Sequence, residues 1–160
     1  MFSRSEALQI ALTEAPTGLT VRERDAIELS NGWYFPWRIV DGQDYIGSHG
    51  LIVNKQSGEA LHLGSAFSAE RDWRAYEAGM TQEAFDIRID RIVNLESTLA
   101  FVEAVGPLIT RDEVRACLST LPHTFEYVVV YFVFEAIEAA RANGCCEFTL
   151  VDPRHRAETT

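Results

Sequence analysis

The 160-residue chain is 47% hydrophobic and 24% charged, with a formal net charge of -10. It is long enough to bury about two-thirds of its unfolded surface, in one domain or two small ones. The carboxylate excess disfavours nucleic-acid phosphates and anionic lipid surfaces, and no apolar run approaches the ~20 residues of a membrane span. The three cysteines, Cys117, Cys145 and Cys146, are odd in number and two are adjacent, a poor disulfide framework. They read as reduced thiols of a cytoplasmic protein.

Ser3 and Glu6 form a capping box for a first helix with Ala7, Leu8, Ala11, Leu12 and Ala15 on one face, ended by Pro16 and Gly18. Residues 21–29 alternate as a strand, with Ile27 and Leu29 on one face, and Ser30-Asn31-Gly32 is a turn. Trp33, Phe35, Trp37 and Ile39 share one face of the next strand. Pro36 donates nothing to a ladder, so this strand is predicted to be an edge or to carry a bulge. A polar, glycine-rich loop follows over 41–50, then a hairpin of 51–54 and 60–63 around Lys55-Gln56-Ser57-Gly58-Glu59. Ser68 caps a helix with Glu70 and Asp72 in its first turn, near the positive dipole end, and Gly79 closes it.

In the second half, Phe85, Ile87 and Ile89 alternate with Asp86, Arg88 and Asp90, the pattern of a half-buried strand. Asn94 caps a helix bearing Leu95, Leu99, Val102 and Val105, and Gly106-Pro107 stops it. Thr110 and Glu113 make a second capping box, opening a short helix with Val114, Cys117, Leu118 and Leu121. Beyond Pro122 the composition favours strand, yet Phe125, Val128, Val129, Phe132, Val133, Ala136, Ile137 and Ala140 keep the i, i+3, i+4 rule. That spacing predicts a long buried helix ending at Asn143-Gly144. A last strand holds Phe148 and Leu150. The fold class is α+β, an antiparallel sheet flanked by helices with a helix-rich second half. It forms either one domain or two units, 1–80 and 81–160, packed together.

The chemistry-bearing residues form no reactive set. His49, in a glycine-flanked loop, could act as a general base, but no carboxylate or nucleophile has a required sequence relation to it. Cys145, Cys146 and His155 are the one metal-like grouping, and adjacent cysteines serve tetrahedral zinc badly. No metal or cofactor is therefore expected. Asp86 and Asp90 share a strand face with Arg88 between them, a solvated ladder that a basic partner could cover. Trp33, Phe35 and Trp73 read as core, whereas Trp37 reads as a surface anchor, tryptophan being enriched at interaction hot spots. Asp41, Asp44 and Tyr45 place two acids and a phenol in a loop, where recognition residues concentrate.

The ordered series GWYFPW, GLIVNKQSGEALHLGSA and a helix ending Tyr76-Glu77-Ala78-Gly79 resembles the immunity protein 35 family of bacterial toxin systems. Trp33, Phe35, Leu51, Val53, Ser57, Gly58, Leu63, Gly64, Ser65 and Tyr76 carry the resemblance, which covers about the first eighty residues. Residues 81–160 extend beyond it. It implies a non-enzymatic immunity protein that binds and neutralises a cognate toxin. The acidity of the chain suits a toxin with a basic surface, reached by steered association. Trp37, Asp41, Asp44, Tyr45, His49, Asp86 and Asp90 are then the candidate contacts. Two alternatives fit the same residues. One is a small-molecule-binding domain or small hydrolase, with a pocket between the aromatic sheet and the helix Ser68–Gly79. The other is a homodimeric adaptor.

Overall fold

In the computed structural model, which describes residues 1–40, 48–106 and 110–154, helices accompany antiparallel sheets in an α+β arrangement. The chain divides into two units, Met1–Thr81 and Gln82–Thr160.

The first unit opens with helix α1 (Arg4–Thr13). Its capping box closes as the residue types dictate: the Glu6 amide donates to Ser3 Oγ, and the Ser3 amide donates to Glu6 Oε2 at 2.8 Å. Strands β1 (Leu19–Thr20) and β4 (Arg38–Ile39) pair as a two-stranded ribbon. Strands β2 (Ile27–Glu28), β3 (Gly32–Pro36), β5 (Gly50–Asn54) and β6 (Ala60–Leu63) form a four-stranded antiparallel sheet in that order. The register sets Trp33 against Val53 and Phe35 against Leu51, and these four pack with Ala7 and Ala11 of α1. Tyr34, opposite Ile52, points to the other face, where helix α2 (Ala69–Glu77) lies. Gly32 permits that approach, since a Cβ there would lie 3.0 Å from the Tyr76 ring and 2.6 Å from Ile52 Cγ2. Covered on both faces, Tyr34, Phe35, Leu51, Ile52 and Val53 are all buried, each such apolar side chain stabilising the fold by roughly 1.5–3 kcal/mol.

Two expectations for this unit are corrected. Residues 21–29 are not one strand: a 3-10 turn, Glu23–Asp25, interrupts them, and Ile27 is exposed while Leu29 is buried. The turn is closed by the Asp25 amide donating to the Arg22 carbonyl at 3.1 Å, and the Asp25 carboxylate pairs with Arg38, 3.0 Å away on β4. The strand with Pro36 is not a sheet edge either, for β3 runs between β2 and β5. Its proline is tolerated because β2 reaches only Trp33 and Tyr34, leaving no ladder acceptor for residue 36 on that side.

The second unit has a three-stranded antiparallel sheet, β8-β7-β9, built from β7 (Ala84–Ile92), β8 (His123–Val129) and β9 (Cys146–Val151). Helices α3 (Leu95–Val105), α4 (Arg111–Cys117) and α5 (Phe134–Asn143) complete it. Asn94 caps α3, Thr110 and Glu113 box α4, and Gly144 closes α5 in the left-handed conformation. Leu99, Val102, Val114, Phe134, Ile137 and Ile87 form its interior.

The long helix predicted through Phe125 is corrected. Residues 123–129 are strand β8, a 3-10 turn spans Val130–Phe132, and helix begins only at Phe134. The i, i+3, i+4 spacing was met by coincidence. The β-branched and aromatic residues of 123–129 instead take the open ladder of β7, where Phe85 faces Val128 and Ile87 faces Phe125.

Candidate functional site

Two places concentrate side chains beyond the needs of packing, one in each unit. In the first, β3 presents Tyr34, the residue just before β5 is His49, and the first turn of α2 presents Asp72. His49 Nε2 lies 3.0 Å from Asp72 Oδ2. The Tyr34 hydroxyl lies 3.0 Å from the His49 carbonyl oxygen and 3.3 Å from its Nδ1. Gly50 makes room for that phenol, because a Cβ there would lie 2.6 Å from the Tyr34 ring. Trp73 packs on Tyr34 with ring centroids 5.0 Å apart.

Burial dominates the electrostatics. It raises the Asp72 carboxyl above the ordinary aspartate range, against the opposing pull of His49 and then Arg71. Asp72 Oδ1 is buried with no hydrogen-bond partner among the described residues, and Arg71 Nη1 lies 3.6 Å away. Burial, followed by the charges of Glu70 and Asp72, pushes the Tyr34 phenol up to about 12. That phenol stays protonated at neutral pH and acts as a donor. With Asp72 against one imidazole nitrogen and a protonated phenol near the other, the cluster is built to hold His49 in place. Tyr34 and Tyr76 are buried between the sheet and α2, and the half-buried Trp73 packs on Tyr34.

The residues that flank 41–47 are also bonded. Trp37 donates through Nε1 to Ser48 Oγ at 3.0 Å, and its amide donates to the His49 carbonyl at 3.2 Å. The Ser48 hydroxyl donates to the Gly50 carbonyl at 3.0 Å. The Val40 amide donates to the Gly18 carbonyl at 2.9 Å. Trp37 is half-buried, its ring 5.9 Å from that of His62. Asp41, Asp44 and Tyr45 lie outside the described residues.

The second place is a groove of about 260 Å³ lined by Val105, Gly106, Glu126, Tyr127, Phe132 and Val133, among others. Tyr127 and Phe132 stand on it 68% and 65% exposed. Tyr127 has φ +55°, a conformation costing about 1–2 kcal/mol for a side-chain-bearing residue. Asp86 explains how it is kept. Between the pairs Phe85–Val128 and Ile87–Phe125, one residue of β7 faces two of β8, and Asp86 Oδ1 accepts the Tyr127 amide at 2.9 Å. The solvated ladder expected of Asp86 and Asp90 is corrected accordingly. Asp86 is 2% exposed and serves the backbone, whereas Asp90 stays at the surface, paired with Arg88 at 2.8 Å.

The thiols of Cys145 and Cys146 are buried, 3.8 Å apart, and burial, then the Cys145 neighbour, pushes Cys146 up to about 12. No group of three metal-binding side chains occurs among the described residues, and no described helix is long and apolar enough to cross a membrane.

Sequence reasoning missed Tyr34, Asp72, Tyr127 and Phe132 as a set. Asp72 carried a usable signal: it sits four residues before Tyr76, on the apolar stripe of α2, where a carboxylate is out of place. Tyr127 and Phe132 were hidden inside the mistaken helix. The sequence matches no family model, no curated protein and no solved structure.

Proposed function

We propose that the protein is an immunity protein, which binds a cognate bacterial toxin carrying a basic surface and occludes it without chemistry of its own. The observation that carries this is the exposed pair Tyr127 and Phe132 beside a groove whose only charged lining residue, among the described residues, is Glu126. Exposed aromatics on the rim of a groove are the usual material of binding hot spots. Backbone strain kept at such a place is a mark of function.

Charge selects the occupant. Residues 82–160 hold thirteen Asp/Glu against seven Arg, net -6. A second copy would bring like charge to the groove, whereas a cationic segment with an apolar side chain meets complementary potential. Val40 and Ser48, which flank residues 41–47 in the sequence, are hydrogen-bonded, and Asp41, Asp44 and Tyr45 between them are further acidic and aromatic candidates for the contact. The resemblance of residues 1–80 to a toxin-immunity family supports the class of partner. An interface of ~1,600 Å² in total is expected, with an association rate that falls as salt rises.

Co-expression tests this. A neighbouring reading frame, induced alone in a bacterial host, is expected to arrest growth, and the intact protein to restore it. Tyr127→Ala/Phe132→Ala, at matched abundance and unchanged circular dichroism, is expected to lose protection. Failure of every neighbouring frame to be toxic, or full protection by the double variant, removes the proposal.

A further inference from the structure

Carboxylates neutralise most cations of this acidic chain. Arg38 pairs with Asp25, Arg88 with Asp90, Arg111 with Glu96 and Glu103, Arg154 with Asp152, and Lys55 with Glu28. Arg4 and Arg22 break the pattern, having no carboxylate within 4.0 Å among the described residues, and Arg24 reaches Asp25 only at 4.0 Å. These three arginines, with Glu23, line one open depression of about 560 Å³ in the first unit. In a chain with 24 acids and 14 bases, three exposed, under-neutralised guanidinium groups around one concavity are a local departure that favours an external anion.

Both sides of the depression are fastened. The Arg4 guanidinium lies 5.1 Å from the centre of the Trp33 ring. Trp33 donates through Nε1 to the Phe2 carbonyl at 3.2 Å, and the Phe2 amide donates to the Lys55 carbonyl at 2.6 Å. Opposite, the 3-10 turn carrying Glu23 and Arg24 is closed by the Asp25 amide donating to the Arg22 carbonyl at 3.1 Å, and Asp25 is held by Arg38.

We propose that this depression binds a small ligand bearing a phosphate group. Three guanidinium charges less that of Glu23 leave a local charge near +2, which matches the roughly -1.5 to -2 of a phosphate monoester at neutral pH. The planar donor fork of arginine suits tetrahedral oxyanions. A volume of about 560 Å³ falls within the ~300–1,000 Å³ of small-molecule sites, so the depression has room for an organic group beside the phosphate. Glu23 on the rim, and the net charge of -10, repel a longer polyanion such as nucleic acid. The proposal does not depend on the toxin reading.

The test is titration of isotope-labelled protein at constant ionic strength, following the Trp33 indole N–H and the arginine Nε–H signals by NMR. Inorganic phosphate, pyrophosphate and ribose 5-phosphate serve as probes, with chloride as control. Saturable shifts at Trp33 and at Arg4, Arg22 and Arg24 are expected. Tighter binding of ribose 5-phosphate than of inorganic phosphate assigns an organic phosphate, and the reverse order a free one. Arg22→Gln, which leaves the Trp33 stacking intact, is expected to weaken binding at least tenfold, as is Arg4→Gln. Arg141→Gln, in the other unit, is expected to change nothing. Shifts that do not saturate, that chloride reproduces, or that survive Arg22→Gln overturn the proposal. So does tighter binding of a single-stranded oligonucleotide than of every small phosphate.

Discussion

Lys55 and Asp72 in the first unit, and Asp86 and Thr98 in the second, are polar side chains that folding takes out of water, and the two units use them differently. In Met1–Thr81 they act as charges. Lys55 Nζ bonds Glu28 at 2.8 Å as well as the Leu29 carbonyl, and Asp72 bonds His49. In Gln82–Thr160 they serve the path of the chain. Asp86 takes the amide of a left-handed residue, and the Thr98 hydroxyl lies 2.9 Å from the Cys145 carbonyl where β9 begins. The first pattern fixes which way side chains point; the second fixes a backbone irregularity that holds Tyr127 in the left-handed region. The first unit therefore suits a preformed polar surface, and the second an apolar anchor.

The largest expected effect that would break this comparison is at Asp86. Asp86→Ala leaves the Tyr127 amide unpaired and is expected to cost about 3 kcal/mol, a charged hydrogen bond being worth ~1.5–3 kcal/mol and buried orphans adding to it. Amide exchange along β7 and β8 should accelerate in proportion; unchanged protection there would show that the carboxylate does not hold the bulge.

Next is His49→Phe, which strips the partner from a buried carboxylate and is expected to cost about 2 kcal/mol. All three tryptophans lie in the first unit, so tryptophan fluorescence in urea reports on it. Adding Asp72→Leu should recover much of the loss, and a strictly additive double variant would deny the coupling.

Tyr127→Gly sharpens the contrast further. It relieves the positive φ and is expected to stabilise the protein by about 1 kcal/mol, seen as a higher urea midpoint, while weakening partner binding. A loss of stability would mean that the ring contributes more to packing than its exposure implies.

The smallest effects are in pH dependence, and the two units should oppose each other. The folded Asp72 carboxyl is raised, so between the ordinary value near ~3.9 and the raised one the folded state holds more protons than the unfolded. Its contribution therefore falls as pH rises through that window. Asp152 is held well below the ordinary range, chiefly by its hydrogen bond from Arg154. Its contribution is full above the ordinary value and is lost as pH falls towards the folded one. Urea midpoints from acid to neutral pH should show the downward component vanish in Asp72→Asn and the upward one shrink in Asp152→Asn.

Short-range physics was legible in the sequence. The boxes of Ser3 with Glu6 and Thr110 with Glu113, the caps Ser68 and Asn94, the left-handed closure at Gly144 and the shared face of Trp33 and Phe35 each depend on residues within a turn or two. Tertiary structure decided whatever needed a distant partner. Residues 123–129 fit a helical stripe and a strand equally well until β7, some forty residues earlier, offered an open ladder. Asp86 looked solvated until a bulge turned it towards the amide of Tyr127, and His49 acquired its carboxylate from a helix 23 residues onward. Periodicity records which side chains share a face, but hydrogen-bond pairing over such separations is chosen by the sheet that assembles, and no local pattern carries that choice.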